Sequence, residues 1–113
     1  MTSNHIDYVE FCAPDLEAVK AFYGRCFGWN FTDYGPEYVA FDRSGVAGGF
    51  RKTDQPIVQG VLVVLYHEQL EVIQAAIEAA GGLITVPVFS FPGGRRFHFK
   101  DPAGNELAVW SEP

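Results

Sequence analysis

The stretch that decides the fold is APDLEAVKAFYGRCFGW, residues 13–29. Asp15 is a typical helix N-cap, because its carboxylate can accept hydrogen bonds from the free N–H groups of the first turn. Gly28 can adopt the left-handed conformation that ends many helices. The stretch therefore predicts a helix over residues 16–27. Its apolar stripe, at helical spacing, would comprise Leu16, Val19, Phe22, Tyr23 and Cys26.

Alternating apolar residues predict strands on both sides of this helix. One strand, over residues 6–12, precedes the helix, and three short strands follow it. Turn residues such as Tyr34-Gly35-Pro36 separate those three strands, which we expect at residues 29–33, 38–43 and 47–50. The first half of the chain is thus predicted to be a βαβββ unit.

The second half repeats this order, with a strand over residues 57–66 and a helix over 69–80 that ends at Gly81-Gly82. Three further strands are expected at residues 83–88, 95–100 and 107–110. Aligning Gly28 with Gly82 gives an offset of 82 − 28 = 54 residues. We therefore expect a single α+β domain over residues 1–113, with tandem βαβββ modules at about 4–52 and 57–111. The modules would form a curved mixed sheet around a cleft, with the helices outside.

Composition excludes several classes of partner. The net charge of −6 disfavours binding to nucleic acid and to anionic membranes. No apolar run is long enough to cross a bilayer, and residues 1–5 lack a signal-peptide pattern, so we expect a cytoplasmic protein. Cys12 and Cys26 show neither metal-ligand nor redox-motif spacing.

Several short motifs resemble those of the vicinal oxygen chelate superfamily, the glyoxalase, bleomycin-resistance and extradiol dioxygenase group. They are Asp15-Leu16-Glu17, Ala21-Phe22-Tyr23, Phe27-Gly28-Trp29, Gly48-Gly49-Phe50 and Asp101-Pro102-Ala103-Gly104-Asn105. The resemblance covers almost the whole chain. It implies paired βαβββ units, often assembled as a homodimer, and in metal-dependent members a divalent ion held by His, Gln or Glu.

The resemblance places the family's metal ligands at Tyr8, Leu62, Ala108 and within residues 48–50. Leucine and alanine have no donor atom for a metal, and tyrosine is a rare ligand. We therefore predict no metal ligands and no cofactor. A divalent metal (Zn, Ni, Mn or Fe) held by displaced ligands is the alternative.

Other residues on the expected cleft face suit ligand binding or acid–base chemistry. The candidate ligand-binding residues are Tyr8, Glu10, Leu62, Arg96, His98 and Trp110. Glu10 and His98 are also the candidate catalytic residues. Each has a structural alternative: Glu10 could pair with Arg96 or Lys100, His98 could be an ordinary hydrogen-bonded strand residue, and Trp110 could simply pack.

Three functions are consistent with these residues. The first is a metal-independent protein that binds a small organic molecule in its cleft, as bleomycin-resistance proteins do. The second is a glyoxalase-related lyase whose metal ligands have moved, with candidates Glu10, His98, Glu106 and His5. The third is a non-catalytic structural or interaction module whose cleft is filled by its own side chains, such as Leu62 and Val64.

Overall fold

The computed structural model describes residues 1–58 and 60–113. These residues form two helices and eight strands. In chain order they are β1 (Ile6–Ala13), α1 (Leu16–Phe27), β2 (Asn30–Asp33), β3 (Tyr38–Asp42), β4 (Gly48–Lys52), β5 (Val61–Tyr66), α2 (Leu70–Ala79), β6 (Leu83–Phe91), β7 (Gly94–Lys100) and β8 (Glu106–Ser111).

The chain divides into two compact units. Module one is Tyr8–Leu62, and module two is Val63–Pro113 together with the N-terminal segment Met1–Asp7. The predicted α+β class and the two βαβββ modules are confirmed. Within the described residues, neither helix is long and apolar enough to cross a membrane.

Module one has the strand order β2-β3-β4-β1. β1 and β4 run parallel, and the other neighbours are antiparallel. Helix α1 begins where predicted, because the carboxylate of Asp15 accepts from the N–H of Ala18 at 3.1 Å. It ends at Gly28, whose φ of 74° is the left-handed conformation. Val39, Phe41 and Phe50 are buried between helix and sheet.

Module two repeats the plan with the order β5-β8-β7-β6, in which β5 and β8 are parallel. Leu70, Phe97 and Val109 are its buried core. Arg95 on β7 makes an ion pair with Glu71 on α2, with 2.6 Å between Nη1 and Oε2. That contact places Arg95 on the helix side of the sheet, with Phe97 and Phe99, and leaves Arg96 and His98 on the side without a helix.

The helices and the first and last strands of the two modules occupy equivalent positions. Helices α1 and α2 begin at Leu16 and Leu70, which gives 70 − 16 = 54, the offset expected from the sequence. The same offset relates β1 to β5. The strand pairing then relates β4 to β8. Phe11 and Leu65 are equivalent by this offset, and they lie opposite Phe50 and Val109, respectively.

Several predicted boundaries were wrong. The strand expected over residues 57–66 begins only at Val61, and Gln59 within that range lies outside the described residues. β4 covers Gly48–Lys52 rather than 47–50, because its last residues pair with Cys12 and Ala13 at the end of β1. β6 continues to Phe91 instead of ending at residue 88, since its pairing with β7 continues through register shifts.

The predicted apolar stripe of α1 also includes two residues that are not buried. Leu16 is buried and Val19 and Tyr23 are half-buried, but Phe22 is 55% exposed and Cys26 is exposed. These two residues lie at the flank of the helix, where they turn away from the sheet. The ring of Phe22 instead packs edge-on against Tyr23, with 5.0 Å between centroids.

Candidate functional site

The face of module one that α1 does not cover carries a tyrosine–glutamate cluster. Glu10 on β1 is 7% exposed, and its carboxylate accepts a hydrogen bond of 3.2 Å from the hydroxyl of Tyr38 on β3. The hydroxyls of Tyr38 and Tyr8 lie 2.5 Å apart. Two phenols thus converge near one buried carboxylate. Beyond them on β1, the thiol of Cys12 accepts a hydrogen bond from Arg51 at 3.2 Å.

Tyr38 remains a hydrogen-bond donor over the whole ordinary pH range. Burial raises its pKa far above the usual value, and the hydrogen bond with Tyr8 and the negative charge of Glu10 raise it further. Gly49 makes room for this side chain, because a Cβ there would overlap the ring and hydroxyl of Tyr38. The equivalent residue of module two, Ala108, carries a Cβ and lies opposite His98 of β7.

The helix-free face of module two carries a histidine–glutamate pair. His98 on β7 and Glu106 at the start of β8 lie 3.1 Å apart, measured from Nδ1 to Oε2. Thr85 on β6 donates to the same carboxylate oxygen at 3.4 Å. A carboxylate beside Nδ1 can accept a hydrogen bond from the N–H of that nitrogen and so fix the orientation of the ring. The pair can therefore orient the imidazole for acid–base work or for a hydrogen bond to a ligand.

An aromatic and cationic wall lies on the same face. Arg96 and Trp110 are directly opposite each other in the β7–β8 register. The guanidinium carbon of Arg96 lies 5.4 Å from the ring centroid of Phe89 and 5.9 Å from that of Phe91. Both distances are within the range of a cation–π interaction. The rings of Phe91 and Trp110 are 6.4 Å apart, and the indole N–H donates to Asp7 at 3.0 Å.

The structure groups the predicted site residues by module. In module one it joins Tyr8 and Glu10 through Tyr38, and in module two it places Arg96, His98 and Trp110 on one face. Of the other candidates, Leu62 lies half-buried in β5, and His5 is exposed.

Sequence reasoning missed Tyr38, Phe89 and Phe91. A signal for Tyr38 was present, because Val39 and Phe41 define the buried face of β3 and the alternation assigns Tyr38 to the other face. No comparable signal existed for Phe89, since the register shifts of β6 decide which way its ring points.

Of the four positions at which the family resemblance places metal ligands, only Tyr8 has a side chain with a donor atom, and tyrosine is a rare ligand. Leu62 and Ala108 have no donor atoms, and Ala108 is fully buried. Gly48 and Gly49 have no side chains. Within residues 1–58 and 60–113, no group of three or more His, Cys, Asp or Glu side chains gathers as a metal site.

Comparison with known proteins identifies the family. The family model of the glyoxalase/bleomycin resistance protein/dioxygenase superfamily matches residues 5–109. The chain belongs to this superfamily. No curated protein matches it.

Several solved structures share the fold. The Mn(II)-bound glyoxalase from Novosphingobium aromaticivorans has a TM-score of 0.70 and 24% identity, and the match covers 96% of this chain and 39% of that one. A superfamily member from Vibrio splendidus 12B01 has a TM-score of 0.71 and 16% identity, over 93% of this chain and 97% of that one. Methylmalonyl-CoA epimerase from Streptomyces coelicolor has a TM-score of 0.69 and 14% identity, and the match covers 98% of this chain and 96% of that one. At these identities the likeness concerns the fold alone.

Proposed function

We propose that this superfamily member binds a small organic molecule on the helix-free face of module two, and does so without the family's usual metal. The observation that carries the proposal is the wall formed by Arg96 over Phe89 and Phe91, beside Trp110 and the His98–Glu106 pair. Binding sites of small molecules typically combine apolar walls with a few well-placed polar groups.

This wall favours a planar ligand. Aromatic rings and a guanidinium plane both stack well on flat molecules. A polar substituent of the ligand would be bound by His98. Glu106 orients the imidazole of His98, with 3.1 Å between Nδ1 and Oε2. The net charge of −6 favours the approach of a cationic compound from a distance.

The absence of the metal is part of the proposal. It is supported by the four ligand positions, because Leu62, Ala108 and residues 48–50 offer no donor side chain and Tyr8 is a rare type of ligand. The family resemblance supports a homodimer as well, which sedimentation or light scattering of the purified protein will measure. We propose the cytoplasm as the location, on the sequence grounds given above.

A thermal-shift panel of cationic, neutral and anionic aromatic compounds tests the binding proposal. We expect at least one class to raise the melting temperature saturably, because a ligand that binds only the folded state stabilises it. The effect should disappear in Arg96→Met and Trp110→Leu. It should persist in Lys52→Met, a matched loss of an exposed cation in module one. Failure of every class, or equal binding by Arg96→Met, would contradict the proposal and favour a structural module.

A second candidate is a glyoxalase-related lyase with displaced metal ligands. The observation that favours it is the distance of 3.1 Å between His98 and Glu106, two of the four displaced ligands considered from the sequence. Elemental analysis and titration with zinc, nickel, manganese and iron test it, with His98→Gln and Glu106→Gln as variants. If the unmodified protein holds no metal and gains no turnover, this candidate is wrong.

A further inference from the structure

Module two contains a cavity on the other side of its sheet, beneath α2. Its volume is about 160 Å³. Its walls are almost entirely apolar, and they come from β5, α2, β7 and β8. The lining residues are Leu65, Ile73, Ile77, Phe99 and Val109, with Asn4, Tyr66 and His67 at the rim.

Module one fills the corresponding space with aromatic rings. Phe11 and Phe50 stack there with 5.2 Å between centroids, and the ring of Tyr23 lies 5.4 Å from Phe50. Tyr23 also stacks on Trp29 at 4.8 Å. Three rings from β1, α1 and β4 thus occupy the layer between helix and sheet.

The same three positions of module two hold smaller side chains. The offset of 54 residues relates Phe11 to Leu65 and Tyr23 to Ile77, and the strand registers relate Phe50 to Val109. Each replacement removes a ring, and all three replacements line the cavity. The cavity is therefore the space that an aromatic side chain occupies in the other module.

We propose that this cavity binds one small apolar ring, a molecule of about the size of benzene. An apolar cavity of about 150 Å³ engineered in another protein stays dry and binds benzene or xenon. A bound ring would supply the dispersion contacts that Tyr23 supplies in module one.

The polar groups at the rim support an apolar ligand rather than a polar one. The Tyr66 hydroxyl donates to Glu112, and Nδ1 of His67 accepts from the N–H of Gln69 at 2.9 Å. The N–H of Asn4 donates to the carbonyl of Tyr66 at 2.8 Å. Because these groups already have partners within the protein, an apolar ring enters without breaking a hydrogen bond.

This inference is independent of the proposed function. The cavity lies on the helix side of the module-two sheet, whereas Arg96, His98 and Trp110 lie on the helix-free side. A compound that binds one site and not the other would separate the two proposals.

Methyl NMR of the full-length protein, titrated with benzene, tests the proposal directly. We expect saturable shifts of the methyl groups of Leu65, Ile73, Ile77 and Val109, together with a rise in melting temperature. The methyl groups of Val19 and Val39 in the filled core of module one should not move. No saturable shift in module two, or equal shifts in both modules, would overturn the proposal.

Filling the cavity gives a second test. Ile77→Phe places a ring where module one has Tyr23, and should weaken benzene binding by at least roughly tenfold. Val72→Phe adds a ring to the same helix at a position that is 58% exposed, and should leave binding unchanged. Unchanged binding in a folded Ile77→Phe protein would contradict the assignment. If that variant does not fold, the titration of the unmodified protein still decides.

Discussion

Module one and module two have the same backbone plan and different contents. Both begin with a strand that pairs in parallel with the last strand of the module, and both helices start at a leucine 54 residues apart. Between helix and sheet, module one stacks Phe11, Tyr23 and Phe50, where module two has aliphatic side chains and a cavity. The spacing of apolar residues therefore determines the plan, and side-chain volume determines how completely each core is filled.

The two cores also differ in which strand carries the large side chain. Val39 lies opposite Phe50 in module one, and Phe97 lies opposite Val109 in module two. The phenylalanine of the pair therefore lies on the last strand of module one, but on the third strand of module two. Each exchange keeps one ring in the pair, and both Val39 and Phe97 are fully buried.

The largest predicted effect concerns this exchanged pair. Phe97→Ala should lower the free energy of unfolding by about 3–5 kcal/mol, because it removes a fully buried ring and leaves a cavity. Val39→Ala should lower it by about 2 kcal/mol, since it removes less apolar volume. Urea denaturation measures both. Trp29 lies in module one and Trp110 in module two, so tryptophan fluorescence reports on the unfolding of both. Equal losses at the two positions would contradict the volume argument.

The next prediction exchanges residues between the modules. Phe50→Val should lower the free energy of unfolding by about 2–3 kcal/mol, because it removes a buried ring and leaves a cavity in the core of module one. Val109→Phe should change it by less than about 1 kcal/mol in either direction, since the new ring enters an existing cavity. Differential scanning calorimetry measures the two changes. A large loss from Val109→Phe would show that the cavity cannot accept a ring.

The third prediction compares the two tyrosine–carboxylate pairs. The pKa of Tyr38 is far above its usual value, mainly because of burial, and the hydrogen bond to Glu112 raises the pKa of Tyr66 to about 12. Above the ordinary pKa of about 10, the unfolded chain loses phenolic protons that the folded protein keeps. Stability should therefore fall as the pH rises above about 10, by up to about 1.4 kcal/mol per pH unit for Tyr38.

Urea midpoints at about pH 9 and pH 11 check this dependence, because the two values bracket the ordinary tyrosine pKa. Tyr38→Phe should remove the module-one contribution, and Tyr66→Phe should remove the smaller module-two contribution. Tyr34→Phe, at a position that is 65% exposed, is the control and should leave the pH dependence unchanged. If Tyr38→Phe has the same slope as the unmodified protein, the buried tyrosine cluster is not the cause.

The smallest predicted effect concerns the helix starts. Asp15 caps α1 with its side chain, whereas Gln69 at the N-cap of α2 makes no such hydrogen bond. Asp15→Ala should lower the free energy of unfolding by about 1 kcal/mol, and Gln69→Asp should raise it by about 0.5–1 kcal/mol. Melting temperatures measure the two changes. A loss of stability in Gln69→Asp would indicate that the backbone at the start of α2 does not suit a carboxylate cap.

The sequence predicted the elements with local signals most accurately. The bounds of α1 agree at both ends, because Asp15 and Gly28 determine them through their own side chain and backbone. The strand ends agreed less well. β4 extends to Lys52 because its partner β1 continues to Ala13, and a sequence pattern does not reveal which strands become neighbours.

For the candidate site as well, the sequence predicted the features that depend on one strand alone and not those that depend on how strands align. Alternation alone assigned Arg96 and His98 to the face opposite Phe97, and the structure agrees. The closeness of His98 to Glu106 depends on how β7 and β8 align, and Arg96 meets Phe89 only through the register shifts of β6. Those alignments result from tertiary packing, which the spacing of residues along one strand does not encode.

The N-terminal segment Met1–Asp7 belongs to module two, and this affects the order in which the protein can fold. Asn4 and His5 bond to the backbone of Tyr66, and Asp7 accepts from Trp110 near the other end of the chain. During translation, Asn4 and His5 find their partner only after Tyr66 has been made, and Asp7 finds its partner only after Trp110 has been made. A circular permutant that joins Pro113 to Met1 and opens the chain before β5 would bring Asp7 and Trp110 close together in sequence, and should shorten that delay.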